Sequence, residues 1–267
     1  MSMRSVIANR ARTIVFQRPP SFVCWFLTLA VACLFATAVG SISAADDGAG
    51  EKAVPTKWTP LFDGKTLKNW KSSEFGGEGE ITVQDGKIVM QQGSEMTGIV
   101  WSGDKLPTKN YEIALSAQRI DGGDFFCGLT FPVGDDPCSF IIGGWGGGVV
   151  GISSLDGQDA ANNETARFES FEKGRWYKIR LRVSEQGLMG WIDDKQVVGV
   201  ETKGRTISIR PEVELSRPLG VSCYSTVSGL KDIRIRELTA AESKAAITPA
   251  ELPKVPESKK ESPKKAD

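Results

Sequence analysis

Histidine is absent from all 267 residues of the chain. Its absence excludes Ser-His-Asp and Cys-His catalysis, sites in which histidine binds zinc or copper, and acid–base chemistry by imidazole. Any reaction must therefore use carboxylates, lysine, tyrosine, arginine, or a metal that carboxylates hold, such as calcium.

Cysteine is scarce, with five residues in the chain. Two of them, Cys24 and Cys33, lie in an apolar N-terminal segment, which leaves Cys127, Cys138 and Cys223 for the rest of the chain. Three cysteines can form one disulfide in an oxidising compartment, with one thiol left over. Their spacing fits no zinc motif, and a buried free thiol is the favoured interpretation for Cys223 at least.

The first 45 residues have the pattern of a secretory signal peptide. Four arginines precede an apolar run over residues 22–39, and the small residues SISAAD follow, suited to cleavage after Ala44 or Ala45. This order predicts export to the periplasm or the extracellular space. The apolar run is also close to the roughly 20 residues that span a bilayer, so retention as a membrane anchor is the alternative.

The charge of the chain does not support a nucleic-acid partner. The chain holds 33 basic and 33 acidic residues, and the signal segment contains four of the basic residues and no acid. The remaining chain is slightly acidic and lacks the basic surface that DNA or RNA binding requires. Residues 46–56 form a polar leader. Residues 240–267 mix Lys, Glu, Pro and Ser with almost no large apolar side chain, which predicts a disordered tail.

Residues 57–239, between these segments, predict one all-β domain. Turn-forming pairs such as Asp-Gly recur at short intervals, and the segments between them alternate apolar and polar residues. The alternation is clearest in residues 111–119, 176–183 and 230–238, each of which predicts a strand with one buried and one solvated face. No long segment has helical periodicity, so we expect a sandwich of two antiparallel sheets with a concave face for an extended ligand.

Several of these segments resemble one family. WTPLFDGKTLKNW at residues 58–70 is similar to the opening motif of the 3-keto-disaccharide hydrolase domain, and ITVQDGKIVM at 81–90 is similar to its next strand pair. NYEIALSAQRIDGGDFFCGLTF at 110–131 and the segments GRWYKIRLRV, GWIDDKQVV and GLKDIRIREL resemble its later strands in order. The resemblance implies a concanavalin-like jelly roll and an exported enzyme that cleaves oxidised glycosides by carboxylate acid–base chemistry.

The chain departs from the family pattern at two places. Where the family usually carries a strand with Glu and Asp, this chain has FIIGGW at residues 140–145. Where the family often carries Gln-Asp-His, this chain has LGVSCYST at 219–226, without an acid or a histidine. These departures favour an alternative in which the domain binds carbohydrate without cleaving it. A structural protein of the envelope, or one that binds a partner protein, is a second alternative.

The stretch FIIGGWGGGVVG at residues 140–151 is rich in glycine and contains a tryptophan. It lacks the lysine and the following helix that a phosphate-binding loop requires. Two compatible interpretations remain: a hairpin that turns at the glycines, or glycines that open the concave face so that the tryptophan stacks on a sugar ring. The candidate ligand-binding residues in this stretch are Trp145, Gly143 and Gly144. Gln118 and Trp176, on the polar faces of their strands, are two further candidates.

Carboxylates are the candidates for chemistry. Cleavage of a glycoside usually needs an acid together with a base or nucleophile, but a 3-keto group acidifies the neighbouring C–H bond. One base and one electrophile then suffice to expel the aglycone by elimination. Glu112, on the polar face of its strand, is the first candidate base and Asp124 the second, with Arg182 to polarise a carbonyl or hold a hydroxyl. The alternative for each is a solvated strand residue or a turn residue.

No cofactor is predicted. The loop carboxylates of Asp121 and Asp124, or of Asp135 and Asp136, can hold a structural calcium ion, although turn formation explains them as well. A carbohydrate is the predicted ligand. A membrane is a predicted partner only if the N-terminal segment is retained as an anchor.

Overall fold

The computed structural model describes residues 56–251, which form two antiparallel β-sheets with few helical residues. The predicted signal peptide, the leader up to residue 55 and residues 252–267 lie outside this range. The strands are β1 Thr59–Pro60, β2 Trp70–Ser72, β3 Ile81–Gln84, β4 Lys87–Met90, β5 Met96–Trp101, β6 Tyr111–Gly122, β7 Cys127–Val133, β8 Asp136–Gly144, β9 Val149–Ser153, β10 Arg167–Phe168, β11 Trp176–Val183, β12 Gly187–Ile192, β13 Lys195–Glu201, β14 Gly220–Tyr224 and β15 Thr226–Glu237. A 3-10 helix spans Pro211–Ser216, and the α-helix α1 spans Ala240–Lys244. Within residues 56–251 no helix has the length and apolar character needed to cross a bilayer.

The strands divide into two sheets. Sheet A holds eight strands in the order β13-β12-β11-β6-β15-β4-β3, with β1 paired to β15. Sheet B holds seven strands in the order β10-β9-β8-β7-β14-β5-β2. Strand β6 lies between β11 and β15 in sheet A, and β7 lies between β8 and β14 in sheet B. The predicted all-β architecture of two antiparallel sheets is confirmed.

The hydrophobic core lies between the sheets because the strands alternate as the sequence predicts. In β11, Tyr177, Ile179 and Leu181 are buried in the core. The intervening Lys178 and Arg180 are on the opposite, more exposed face of the strand. Burial of one large apolar side chain contributes about 1.5–3 kcal/mol relative to exposure, so this repeated pattern is the main term that favours the sandwich.

The outer face of sheet A carries a buried carboxylate. Glu112 of β6 is 1% exposed and stands directly opposite Arg182 of β11 and Arg236 of β15. Both arginines donate hydrogen bonds to its oxygens, and Arg180 donates another at 2.5 Å. A carboxylate removed from water needs such partners, because an uncompensated buried charge is strongly destabilising.

The folded part of the chain extends beyond the predicted boundary at residue 239. Thr239 and Glu242 form a capping box at the start of α1. The carboxylate of Glu242 also accepts hydrogen bonds from Arg182 at 3.1 Å and from Arg236 at 2.7 Å. These charge-assisted bonds attach α1 to the outer face of sheet A.

After α1 the chain reaches the edges of both sheets. The carbonyl of Thr248 accepts a hydrogen bond from the side chain of Gln196 in β13, and the carbonyl of the buried Ala250 accepts one from Arg167 in β10. Strand β13 is one of the two edge strands of sheet A, and β10 is one of the two edge strands of sheet B. The predicted disorder is therefore wrong for residues 240–251. Specific polar contacts hold this segment, and its composition does not reveal them.

All three cysteines of the described chain are buried and free, which agrees with the interpretation of Cys223 as a buried thiol. Burial raises the pKa of the Cys138 and Cys223 thiols to about 12 and raises the pKa of Cys127 as well. A thiol that stays protonated is a poor nucleophile, so these cysteines have a packing role rather than a catalytic one.

We expect Glu112→Gln to lower the free energy of unfolding by about 3 kcal/mol, because the surrounding guanidinium groups lose the carboxylate that compensates them. Urea denaturation of the purified protein measures this change. Glu214→Gln is the matched control, since Glu214 forms an exposed ion pair with Arg217 and such pairs contribute about 0–1 kcal/mol. Equal destabilisation by the two substitutions would contradict the compensating role of Glu112.

Acid should weaken the attachment of the C-terminal segment. The hydrogen bond from Arg236 lowers the pKa of Glu242 from 4.5 to about 2. Because the pKa is lower in the folded state, this stabilisation is fully present above pH 4.5 and is lost as the pH falls from 4.5 towards 2. Thermal unfolding should therefore depend less steeply on pH in Glu242→Gln than in the wild type over that window. Identical slopes would show that Glu242 contributes nothing to acid sensitivity.

Candidate functional site

A groove lies on the outer face of sheet B, with a cavity volume of about 360 Å³. Ser139 and Ile141 of β8 and Ser153 of β9 line it. These residues alternate along their strands with core residues such as Phe140 and Ile152, so their side chains point away from the core. The small serine side chains leave the open space that forms the groove.

Three aromatic side chains also line the groove: Phe125, Trp145 and Tyr224. The rings of Phe125 and Tyr224 stack, with centroids 6.1 Å apart and planes 22° apart. Trp145 is 42% exposed and Tyr224 is 38% exposed. Exposed aromatic faces in a concave site offer apolar area at which a flat or ring-shaped ligand can pack.

The turn between β8 and β9 presents Trp145. The φ angle of this residue is 47°, in the left-handed region that a bulky side chain rarely adopts. The carboxylate of Asp124 supports the turn, since one oxygen accepts a hydrogen bond of 2.9 Å from the backbone N–H of Gly146. Its other oxygen accepts one of 2.7 Å from the N–H of Phe125. The glycine-rich stretch is thus a hairpin turn that also carries an exposed aromatic residue to the groove.

The charged groups that line the groove differ in their partners. Glu212 accepts a hydrogen bond of 2.8 Å from Arg210, and this bond lowers the pKa of Glu212. Arg210 also donates to Asp159 at 3.1 Å, and the hydrogen bond to Glu212 raises the pKa of the arginine. Asp124 is occupied by backbone N–H groups. Glu95 is exposed and has no hydrogen-bond or ion-pair partner within residues 56–251, so its carboxylate is open to contact with a ligand.

The structure separates the residues that the sequence groups into one site. Asp124 and Trp145 line the groove. Gly144 is not among the lining residues, although a Cβ atom there would lie 2.9 Å from the side chain of Ile141, which is. Glu112 and Arg182 lie on the outer face of sheet A, on the other side of the sandwich, where Glu112 is enclosed by arginines. The prediction that they serve the same site as Trp145 is wrong, because periodicity does not tell which of the two sheets bears the groove.

Gln118 and Trp176 are cross-strand neighbours and also lie on the outer face of sheet A. Gln118 donates a hydrogen bond to the carbonyl of Gly174, and the Nζ atom of Lys231 lies 4.3 Å from the centre of the Trp176 ring. Neither residue lines the groove. Their predicted role beside Trp145 is therefore wrong for the same reason as that of Glu112.

The carboxylates proposed for calcium make other contacts. Asp121 forms an exposed ion pair of 2.6 Å with Lys173, and Asp124 holds the turn. No group of three or more carboxylate or cysteine side chains in residues 56–251 is placed to hold a metal ion. A calcium site stays a prediction.

Sequence reasoning misses Arg119, which is buried beneath the turn that carries Trp145. Its signal is present in the sequence, because apolar residues occupy alternate positions 111–117 on the core face of β6 and the arginine takes the next one. Glu95, Arg210 and Tyr224 are missed as well. They reach the groove from three separate parts of the chain, and no local pattern connects them.

Substitution of Trp145 by glycine should remove a ligand contact without lowering the stability of the domain. A non-glycine residue in a sparsely populated conformation costs about 1–3 kcal/mol, and glycine removes that cost. Because the indole is 42% exposed, its removal loses less packing than removal of a buried aromatic side chain would. We expect Trp145→Gly to keep or raise the urea midpoint and to lose the stacking surface. The control Trp191→Gly, within strand β12, should lower the midpoint, and an equal drop in both variants would contradict the strain at residue 145.

Comparison with solved structures finds distant likenesses. A candidate glycosyl hydrolase of Parabacteroides distasonis is 15% identical, with 68% of this chain and 94% of that chain covered, at a TM-score of 0.43. The carbohydrate-binding module CBM66 of Bacillus subtilis is 10% identical, with coverage of 63% and 96% and a TM-score of 0.41. The Crh5 transglycosylase in complex with NAG is 12% identical, with coverage of 71% and 90% and a TM-score of 0.48.

Sequence comparison identifies a family for this chain but no individual curated relative. No curated protein matches the chain. The family model of 3-keto-alpha-glucoside-1,2-lyase-like domains matches residues 57–236, a span that begins just before β1 and ends within β15. The match covers the sandwich apart from the last residue of β15, as the resemblance in the strand motifs predicts. The chain therefore belongs to the family of 3-keto-alpha-glucoside-1,2-lyase-like domains.

Proposed function

We propose that the domain binds a carbohydrate in the groove of sheet B. The observation that carries this proposal is the aromatic lining, in which Trp145 and the stacked pair Phe125 and Tyr224 border a cavity of about 360 Å³. Small-molecule sites typically measure about 300–1,000 Å³. A sugar ring has apolar C–H faces, and stacking on an exposed aromatic ring removes both surfaces from water.

An oxidised glycoside is the ligand that family membership favours. The guanidinium of Arg210 can donate hydrogen bonds to a keto oxygen, and the carboxylate of Glu95 can accept one from a sugar hydroxyl. Both side chains line the groove, so a 3-keto sugar stacked on the aromatic residues would meet one donor and one acceptor. This complementarity supports a neutral sugar that carries a ketone.

Cleavage by elimination is a second candidate function, and the unpartnered carboxylate of Glu95 favours it. A base removes the proton from the carbon beside the ketone, and the electron pair forms a double bond to the anomeric carbon. The bond from that carbon to the glycosidic oxygen breaks, and the aglycone leaves as an alcohol after gaining a proton. Glu95 would act as the base, and Arg210 would stabilise the enolate oxygen. This route needs no histidine.

Both departures from the family pattern fall on strands of this groove. Residues 140–144 belong to β8 and residues 220–224 form β14, and the two strands flank β7 in sheet B. Ile141 and Tyr224 thus line the groove on strands where the family usually carries acids, an amide or a histidine. The change removes groups suited to chemistry and adds apolar surface, so we rank binding before cleavage. We also propose that the sandwich is a concanavalin-like jelly roll whose concave face is this groove.

The test measures binding and cleavage in the same samples. The purified protein is titrated by calorimetry with 3-keto-trehalose and 3-keto-lactose, beside the unoxidised parent sugars, and products are followed by mass spectrometry. We expect the keto sugars to bind, with affinity about tenfold lower in Trp145→Ala and in Tyr224→Ala, because each loses an apolar contact. The control Trp176→Ala, on the outer face of sheet A, should keep the wild-type affinity.

The outcomes separate the two functions. Absence of binding to all four sugars would overturn the proposal. Cleavage that Glu95→Gln abolishes, with affinity retained, would establish elimination with Glu95 as the base. Cleavage that survives this substitution would exclude Glu95 from the reaction, and binding without product would make the domain a binding module.

A further inference from the structure

A buried guanidinium lies beneath the turn that carries Trp145. Arg119 occupies the core face of β6 and is 6% exposed. In residues 56–251 its side chain forms no ion pair within 4.0 Å and donates no hydrogen bond to a carboxylate, so other groups must compensate its charge. Compensation is required because a charge taken out of water without partners is strongly destabilising.

Backbone carbonyls supply that compensation. The Nη2 atom of Arg119 donates to the carbonyls of Asp124 at 3.0 Å, Gly143 at 3.2 Å and Gly147 at 2.8 Å. The Nη1 atom donates to the carbonyl of Phe171 at 3.5 Å. One guanidinium therefore joins the loop after β6, the end of β8, the turn that follows it and the segment before β11.

Aromatic rings close the remaining sides of the guanidinium. Its carbon lies 5.1 Å from the centre of the Phe126 ring and 5.9 Å from that of Phe171. Tyr177 packs against both rings, at centroid distances of 5.8 and 5.0 Å. Burial lowers the pKa of Arg119, and the carboxylate of Asp124 acts in the opposite direction. A guanidinium remains charged at neutral pH, so the carbonyls face a permanent cation.

Glycine is required where the guanidinium meets the turn. A Cβ atom at Gly143 would lie 2.6 Å from Nη2 of Arg119. A Cβ atom at Gly147 would lie 2.9 Å from the carbonyl oxygen of Gly123 and 3.5 Å from the guanidinium nitrogens. Both glycines also have positive φ angles, 80° and 110°. Part of the glycine content of this stretch is therefore a requirement of the contact with Arg119.

We propose that Arg119 is a positioning residue that fixes the turn at residues 143–148 and so holds Trp145 at the groove. The same guanidinium binds the carbonyl of Asp124, whose carboxylate holds the N–H of Gly146 beside the tryptophan. Trp145 stays in a left-handed conformation, and such a conformation persists only where the surroundings enforce it. The functional meaning of this inference rests on the proposed carbohydrate binding.

Loss of a positioning residue and loss of a general structural residue destabilise different parts of the domain. Loss of a general core contact lowers the stability of the whole domain, and all protected amides then exchange faster together. Loss of a positioning contact frees the turn while the sheets remain closed, so the turn amides exchange faster than those of the core. The N–H groups of Gly147 and Gly148 report on this, since both donate to the carbonyl of Gly144 at 3.1 Å.

The test compares two buried arginines. Arg119→Lys keeps the charge but replaces the planar fork with one ammonium on a shorter side chain, which lacks the second nitrogen that binds Phe171 and does not reach the position of Nη2. The control Arg236→Lys changes a similarly buried arginine that binds Glu112 on the outer face of sheet A. Amide hydrogen exchange, followed by NMR, should accelerate about tenfold or more at residues 146–148 relative to β6 and β11 in the first variant only.

Binding of 3-keto-trehalose provides a second readout. We expect its affinity to fall about tenfold in Arg119→Lys, because the tryptophan is no longer held against the sugar. In a double-mutant cycle the losses should overlap, so that the variant with both Arg119→Lys and Trp145→Ala binds no more weakly than Trp145→Ala alone.

The exchange data keep this inference separate from the proposed function. Local acceleration in a protein that binds no sugar would support the positioning role and refute the carbohydrate proposal alone. Equal acceleration at the turn and in both sheets, or additive losses in the cycle, would overturn the positioning role. If the lysine variant fails to fold, Arg119→Met removes the buried charge altogether and is judged by the same two outcomes.

Discussion

Strand β6 carries two buried charges on opposite faces, and the surrounding structure compensates both of them. On the outer face, arginines from both neighbouring strands surround Glu112, and two of these also bind Glu242 of the C-terminal segment. On the core face, carbonyls from the β8–β9 turn and the loop after β6 surround Arg119. Because a buried charge without partners is strongly destabilising, these two positions constrain strand pairing, turn conformation and the attachment of α1 together.

The strands can be predicted from the sequence, whereas only part of the site can, since Asp124 and Trp145 line the groove but the other predicted site residues do not. Period-two alternation predicts β6, β11 and β15 correctly, because alternation is a property that each strand has by itself. A sandwich has two outer faces, however, and alternation does not distinguish them. The sequence therefore does not show that Glu112 and Trp145 belong to the outer faces of different sheets. The groove depends on the order β8-β7-β14-β5, which brings Ser139, Tyr224 and Glu95 together from distant segments. Arg119 is visible as a break in an apolar pattern, but its partners are carbonyls, which every residue has.

The lining of the groove is mixed, because aromatic and aliphatic side chains stand beside two serines and four charged residues. Arg210 pairs with Glu212, and Asp124 holds the turn, so Glu95 is the lining carboxylate without such a contact within residues 56–251. Recognition in the proposed site would come from ring stacking, which is tolerant of sugar identity, and the polar groups would select for the ketone. Chemistry in this domain would have to rely on one unpaired carboxylate where glycoside hydrolysis usually uses two.

The segment after α1 also affects whether copies of the domain can associate through their edge strands. Unpaired edge strands are templates for pairing with another chain, and β13 and β10 each form one edge of their sheet. The carbonyl of Thr248 lies against β13, and that of Ala250 binds β10 through Arg167. A chain cut at residue 239 would keep every strand of the sandwich yet lose these contacts at one edge of each sheet. For this domain, residues 245–251 would therefore oppose edge-to-edge association at β13 and β10.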